Sequence, residues 1–187
     1  MLFIDNDVAV LYTNEKPKER FIMSCCCSEK QTDKKTKKLF KIEYLYLDLK
    51  TCDRCMDTDK LLDEVVEVLK PALQLAGYEV RYRKHEMTTA QIAQKFEFVS
   101  SPTIRVNGRD IFDVVETDCG CCGDIAGVAV DCRAYEYDGK VYDVPSKQLL
   151  AKAILKSIDK FAPCNKQPYE MPDNLKRFFE GKANKNK

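Results

Sequence analysis

The sequence predicts an α/β fold of order β-α-β-α-β-β-α, with a Cys-rich loop and an extra β-hairpin inserted before the C-terminal helix. Three observations carry this. An apolar run at 40–47 is followed by a run of helical period at 61–76 and an alternating run at 78–84, which together make a βαβ unit. Asn107-Gly108 and Asp138-Gly139, each between strand-forming runs, are two-residue hairpin signals. Pro145-Ser146 then opens a last apolar-periodic run. The chain divides into an N-terminal extension with a Lys-rich tether at 1–38, the α/β domain at 39–162 and a C-terminal tail at 163–187.

The elements follow in order. Residues 1–22 hold two short apolar runs, and translation is expected from Met23, leaving 1–22 peripheral. Residues 28–38 carry Lys30, Lys34, Lys35, Lys37 and Lys38 and too little apolar surface to offset ordering, so they read as a solvated linker. Phe40 to Leu47 suits a central strand. In the first helix Leu61, Leu62, Val65, Val68, Leu69, Ala72, Leu73 and Ala76 face inward, Pro71 kinks or splits it, and Gly77 caps it. Tyr78–Lys84 is the second strand. Thr88 begins a short helix with Gln91 in capping-box position. Thr103–Val106 is the third strand and Arg109–Val115 returns as a fourth. Arg133–Tyr137 and Lys140–Val144 form the extra hairpin. The helix from Ser146 faces Leu149, Leu150, Ala153, Ile154, Ile158 and Phe161 inward. In the tail, Asp173–Glu180 is a short amphipathic helix that docks on its own domain through Leu175, Phe178 and Phe179.

Composition narrows the function. With 31 basic and 30 acidic residues there is no global electrostatic case for nucleic acid. No run of ~18 apolar residues exists, so no span of the membrane is expected. Asp5 and Asp7 interrupt the first apolar run, so no signal peptide is read and the expected location is cytoplasmic. Ten cysteines in a reducing compartment point to redox chemistry or metal binding rather than to a disulfide framework.

Cys52-Asp53-Arg54-Cys55 stands where the first strand hands over to the first helix. Free N–H groups and the macrodipole at a helix start stabilise an anion, so the thiolate of Cys52 is favoured. Cys55, one turn on, can close a disulfide. Cys52 then attacks and Cys55 resolves. Arg54 assists a thiolate, whereas Asp53 and Asp57 oppose it. The competing reading is a metal half-site, because Cys-x-x-Cys is also a zinc ligand spacing; the βαβ context favours redox chemistry.

Cys52–Cys55 after an apolar strand, Ser101-Pro102-Thr103 opening the third strand and the Asn107-Gly108 hairpin together resemble the thioredoxin-like superfamily, over 39–115 and 146–161. The resemblance implies that Pro102 is cis and packs beside the dithiol, and that Ser101, with Thr103, offers backbone groups to extended substrate. The chain departs from thioredoxin in having no Trp and no Gly-Pro inside the motif. Asp48, four residues before Cys52, is a turn residue rather than a buried proton shuttle. A narrower match, carried by Leu47–Cys52, Phe98–Ile111, Val130–Arg133 and Tyr137–Lys140, resembles an uncharacterised bacterial thioredoxin-like family, domain of unknown function 2703. Relatives with selenocysteine in the motif and a link to organometal handling imply chemistry at Cys52 or Cys55.

A second thiol cluster, Cys119, Cys121 and Cys122, is followed by Cys132. A third strand of about four residues spans ~13 Å, and a longer fourth strand overshoots it, so this loop is expected at the pole of Cys52. The loop supplies either resolving thiols and soft-metal ligands or part of a zinc or iron–sulfur site. Cys132 also reads as a buried strand residue, and Gly120 and Gly123 as tight-turn residues. Cys25, Cys26 and Cys27, before the tether, read either as metal-capturing thiols or as an inert exposed run; Cys164 is incidental. His85, the single histidine, is exposed or packed rather than catalytic.

The expected function is a thiol–disulfide oxidoreductase, with disulfides or heavy-metal, organometal or metalloid thiol adducts as substrates. The alternative is a non-catalytic soft-metal binding or delivery protein. No cofactor is required for the first; a thiolate-bound soft metal or zinc belongs to the second. The expected partners are a thiol or disulfide substrate and a reductase, with no nucleic acid.

Overall fold

Alternation in the first ordered stretch sets the centre of the molecule. In β1 (Lys38–Tyr46), Phe40, Ile42 and Tyr44 face one side and Leu45 the other, and all four are buried. A strand buried on both faces belongs inside a sheet, and β1 has two neighbours. It pairs in parallel with β2 (Tyr78–Glu86) and antiparallel with β3 (Thr103–Val106). A short β4 (Arg109–Asp110) completes a four-stranded sheet of order β2-β1-β3-β4. This computed structural model describes residues 37–118, 120–158, 160 and 168–185.

The β1-to-β2 crossover is α1 (Asp53–Leu75), which lies against Phe40, Ile42 and Tyr44 through Leu62, Val65, Val66 and Leu73. Pro71 does not split it: the helix runs through to Leu75. The bond that Pro71 cannot donate would have ended on Glu67, an exposed residue whose carbonyl water can serve. The inner stripe also shifts from the expected one, with Val66 buried and Val68 76% exposed. Gly77, at φ 91°, follows the helix end as expected.

Between β2 and β3 lies α2 (Ala90–Lys95). Its cap is Thr89, whose hydroxyl accepts the Ile92 N–H at 3.2 Å, one residue later than Thr88. The β3–β4 turn is the expected hairpin, with Asn107 at φ 52° and Gly108 at φ 79°. Asn107 Oδ1 also accepts the Lys41 N–H at 2.9 Å, which pins the turn to β1.

The expected strand Arg109–Val115 is broken in two. β4 stops at Asp110, and β5 (Asp113–Asp118) joins a second sheet with β6 (Asp131–Tyr137) and β7 (Lys140–Tyr142), all antiparallel. The cause is Phe112. It turns inward between the two pieces and packs edge-on against Tyr135, with ring centroids 5.1 Å apart. Asp138 and Gly139 make the β6–β7 turn with positive φ. A short α3 (Cys121–Ala126) links β5 to β6. Gly123 lies inside this helix rather than in a turn; a Cβ there would come 3.3 Å from the Val128 carbonyl. Gly120 and Gly127, with positive φ, bound the helix.

The last helix of the expected order is α4 (Lys147–Lys156), capped by Ser146 and packed on α1. The tail helix is longer than expected, α5 (Asp173–Lys185). It docks on its own domain through Leu175 and Phe178. Two apolar clusters result. One lies between the four-stranded sheet, α1 and α4. The other gathers Leu45, Leu47, Met87, Ala93 and Phe98 with α3, β6 and α5. Among the described residues no helix is long and apolar enough to cross a membrane. The N-terminal extension, the tether to residue 36, Cys25–Cys27, Cys119, Phe161 and Cys164 lie outside the described residues.

Candidate functional site

The site begins where β1 ends. Asp48 Oδ1 accepts the Lys50 N–H at 2.7 Å, the Thr51 N–H at 2.6 Å and the Thr51 hydroxyl at 2.8 Å. Burial pushes the Asp48 carboxyl up, but these bonds and one from the Cys52 N–H outweigh it and hold the acid below its usual range. Asp48 is therefore an anionic turn residue that shapes the loop into Cys52, as the sequence indicated.

Cys52 is the N-cap of α1, in extended conformation, and its side chain makes no capping hydrogen bond. Cys52 thus holds the residue position from which a capping side chain otherwise accepts from the first turn. Cys55 is one turn along. Both residues are 0% exposed. The Cys55 carbonyl accepts the Tyr44 hydroxyl at 2.7 Å, anchoring the first turn to β1. Burial raises the Tyr44 hydroxyl pKa well above the usual phenol range, with Tyr135 and both cysteines adding to it, so Tyr44 remains a neutral donor.

The β3 side brings the second half. The Ser101–Pro102 peptide is cis. Ser101 Oγ lies 3.5 Å from Cys55 Sγ and accepts the Leu47 N–H at 3.1 Å. The two distant sequence stretches therefore meet. Thr103 is buried and donates to the Ser100 carbonyl at 2.6 Å, closing the loop before β3. From the tail, the Tyr169 hydroxyl donates to the Phe98 carbonyl just ahead of this loop.

The Ser101 carbonyl, expected to face substrate, is engaged here by the Arg133 N–H of β6 at 2.6 Å. Arg54, inside the motif, also reaches β5 and β6. Its guanidinium donates to Thr117 Oγ1 at 2.9 Å and to the carbonyls of Cys132 and Arg133 at 3.4 and 3.2 Å. It further pairs with Asp143 at 2.6 Å. Thr117, near the end of β5, is therefore within reach of Arg54 at the start of α1. The Cys-rich loop departs from this second sheet rather than from an overshooting fourth strand.

The loop's sulfurs are less simply placed. Cys122 and Cys132 are buried within the apolar cluster of Leu45, Leu47, Met87 and Phe98, and Cys121 is half-buried. Cys132 is the buried strand residue that one reading gave. Among the described residues no three His, Cys, Asp or Glu side chains converge as metal ligands. His85 packs on Phe96, with ring centroids 4.6 Å apart.

Sequence reasoning missed the polar residues behind the dithiol. Arg133 is 0% exposed and pairs with Asp110 at 2.9 Å, which also binds Arg105 at 2.6 Å. Tyr135 is buried near Cys55, Arg54 and Arg133. The available signal was a charge inside an apolar strand run, Cys132-Arg133-Ala134-Tyr135; only pairing across two sheets gives it meaning.

These features define a mixed α/β protein with a buried dithiol at a helix start beside a cis-proline. The family described as Domain of unknown function (DUF2703) matches residues 40–154. The chain belongs to that family. It is also 32% identical over 113 residues to an uncharacterized protein of Archaeoglobus fulgidus, covering 57% of this chain and 77% of that one. No solved structure matches.

Proposed function

We propose that the chain is a thiol–disulfide exchange protein on a thioredoxin-like frame. The observation that carries the reading is the dithiol at the start of α1 set against the cis Ser101–Pro102 peptide, with Ser101 Oγ 3.5 Å from Cys55 Sγ. A 23-residue helix presents its first-turn N–H groups, which precede the intrahelical ladder, and its positive dipole end to Cys52, which favours the thiolate there.

The steps balance as follows. The Cys52 thiolate attacks one sulfur of a substrate disulfide; that S–S bond breaks and the other substrate sulfur leaves as a thiolate. Cys55, deprotonated, attacks the Cys52 sulfur of the mixed disulfide and expels the second substrate thiolate. The substrate gains two electrons and the dithiol becomes a disulfide, which an external dithiol reductant resets. A thiol adduct of a soft metal or metalloid would react by ligand exchange instead: the Cys52 thiolate bonds the metal, a substrate thiolate leaves, Cys55 displaces a second, and no electrons are transferred. Ser101, next to Cys55, is a positioning residue.

The test is reduction of a peptide disulfide by the protein, recycled with a dithiol reductant and compared with Cys52→Ser and Cys55→Ser. Cys52→Ser should abolish turnover, and Cys55→Ser should accumulate the mixed disulfide on Cys52. Undiminished turnover in Cys52→Ser refutes the reading. So does stoichiometric zinc held by a wild-type protein that shows no exchange.

A further inference from the structure

Exchange requires a substrate sulfur to approach Cys52 in line, yet Cys52 and Cys55 are fully buried. The β5–β6 edge, with Thr117, Cys132 and Arg133, is bonded both to the start of α1 and to the cis-proline loop, mostly through Arg54.

We infer that this edge is a cover over the dithiol, latched by Arg54 from inside the motif and released at the Arg54–Asp143 ion pair. The inference rests on the reading of Cys52 as the attacking thiol. Three features support it. The β5–β6–β7 sheet shares no strand pairing with the four-stranded sheet, so no ladder ties the edge to α1, and what opposes opening there is the named hydrogen bonds and the packing of Cys132. Backbone contact between the cover and the cis-proline loop runs through the Arg133 N–H on the Ser101 carbonyl at 2.6 Å. On the thioredoxin-like reading proposed above, an extended substrate bonds the backbone at Ser101, and on that reading the cover takes the substrate's place. Finally, the partners of Arg54 differ. Thr117, Cys132 and Arg133 belong to the cover itself, whereas Asp143, beyond β7, is 72% exposed and its carboxylate is hydrated readily. An ion pair with one hydrated member is the weakest link, and it fixes the rotamer from which the guanidinium reaches its other three acceptors.

Opening is read by the rate at which a neutral maleimide labels Cys52 in reduced full-length protein, followed by peptide mass spectrometry. Labelling reports access rather than turnover, so its failure is distinct from failure of the exchange reading. When closing is fast, the rate scales with the population of the open form. Wild-type Cys52 should label far more slowly than a short peptide thiol. Asp143→Asn should speed Cys52 labelling about twofold to fivefold, the effect of losing a partly exposed ion pair. Thr117→Val should act in the same direction. The labelling rate should depend on urea only weakly compared with global unfolding, because a local opening exposes little surface. Wild-type rates in both variants overturn the inference, as does a urea dependence equal to that of global unfolding or peptide-like labelling of wild-type Cys52.

Discussion

The tail helix α5 covers the cluster that contains Cys122 and Cys132, and one glycine lets it do so. Gly181 faces α3, and a Cβ there would stand 2.5 Å from the Ala126 carbonyl oxygen and 2.9 Å from a Val128 methyl. Two effects of Gly181→Ala oppose each other. Alanine favours the helix by about 0.8–1 kcal/mol. Against this, a backbone oxygen at that distance cannot rotate away, so α5 must lift from α3. Overpacking of this kind costs roughly 1–3 kcal/mol. If α5 comes off, Leu175 and Phe178 lose burial worth about 1.5–3 kcal/mol each, which sets an upper limit. A 2.5 Å approach to a backbone oxygen puts the steric cost in the upper half of that range, about 2–3 kcal/mol, so it wins and a net loss of about 1–2 kcal/mol is expected. Urea unfolding measures the loss, and maleimide labelling of Cys122 reports whether the cover is lifted first. Gly181→Ala protein as stable as wild type, with Cys122 equally protected, refutes the reasoning.

The remaining predictions concern the polar groups around the dithiol. Arg133→Met should change stability by less than about 1 kcal/mol, not the ~3–5 of a broken buried pair, because Asp110 keeps Arg105 at 2.6 Å. Two guanidinium nitrogens of Arg133 have no hydrogen-bond partner, and removing them offsets the lost bond; a loss above ~3 kcal/mol in urea unfolding counts against this. Asp48→Ala should cost about 1–2 kcal/mol at neutral pH. The folded carboxyl lies below its unfolded value of about 3.9, so its contribution is present above that value and fades as pH falls through the folded one. Stability curves of wild type and Asp48→Ala should therefore converge in acid, and a gap constant with pH contradicts the assignment. Tyr44→Phe should cost about 1–2 kcal/mol by leaving the buried Cys55 carbonyl without its 2.7 Å donor, read as an earlier urea midpoint. Ser146→Ala should cost ~1 kcal/mol through the lost α4 cap, measured in the same way.

Much of this molecule is written locally. Period-two and period-3.6 patterns place β1, α1, β2, β3 and α4, because burial of one face imposes them on the sequence. Asn107-Gly108 and Asp138-Gly139 fix their turns because few other pairs tolerate positive φ at both positions. The meeting of Cys52–Cys55 with Ser101–Pro102 was implied by the thioredoxin-like resemblance rather than by any local pattern, and the structure brings Ser101 Oγ to 3.5 Å from Cys55 Sγ. Tertiary structure decided the rest. Phe112 breaks the fourth strand because a pocket beside Tyr135 exists to receive it, and no local signal announces that pocket. Arg54 and Arg133 are buried because acceptors from β5, β6 and the Asp143 turn converge on one and Asp110 on the other, which no local pattern announces. Sequence alone determined that a dithiol sits at a helix start. The second sheet, built from residues some 60–90 positions away, decided that Arg54 inside the motif is buried and bonded, because hydrogen-bond satisfaction across that distance is a property of the assembled core.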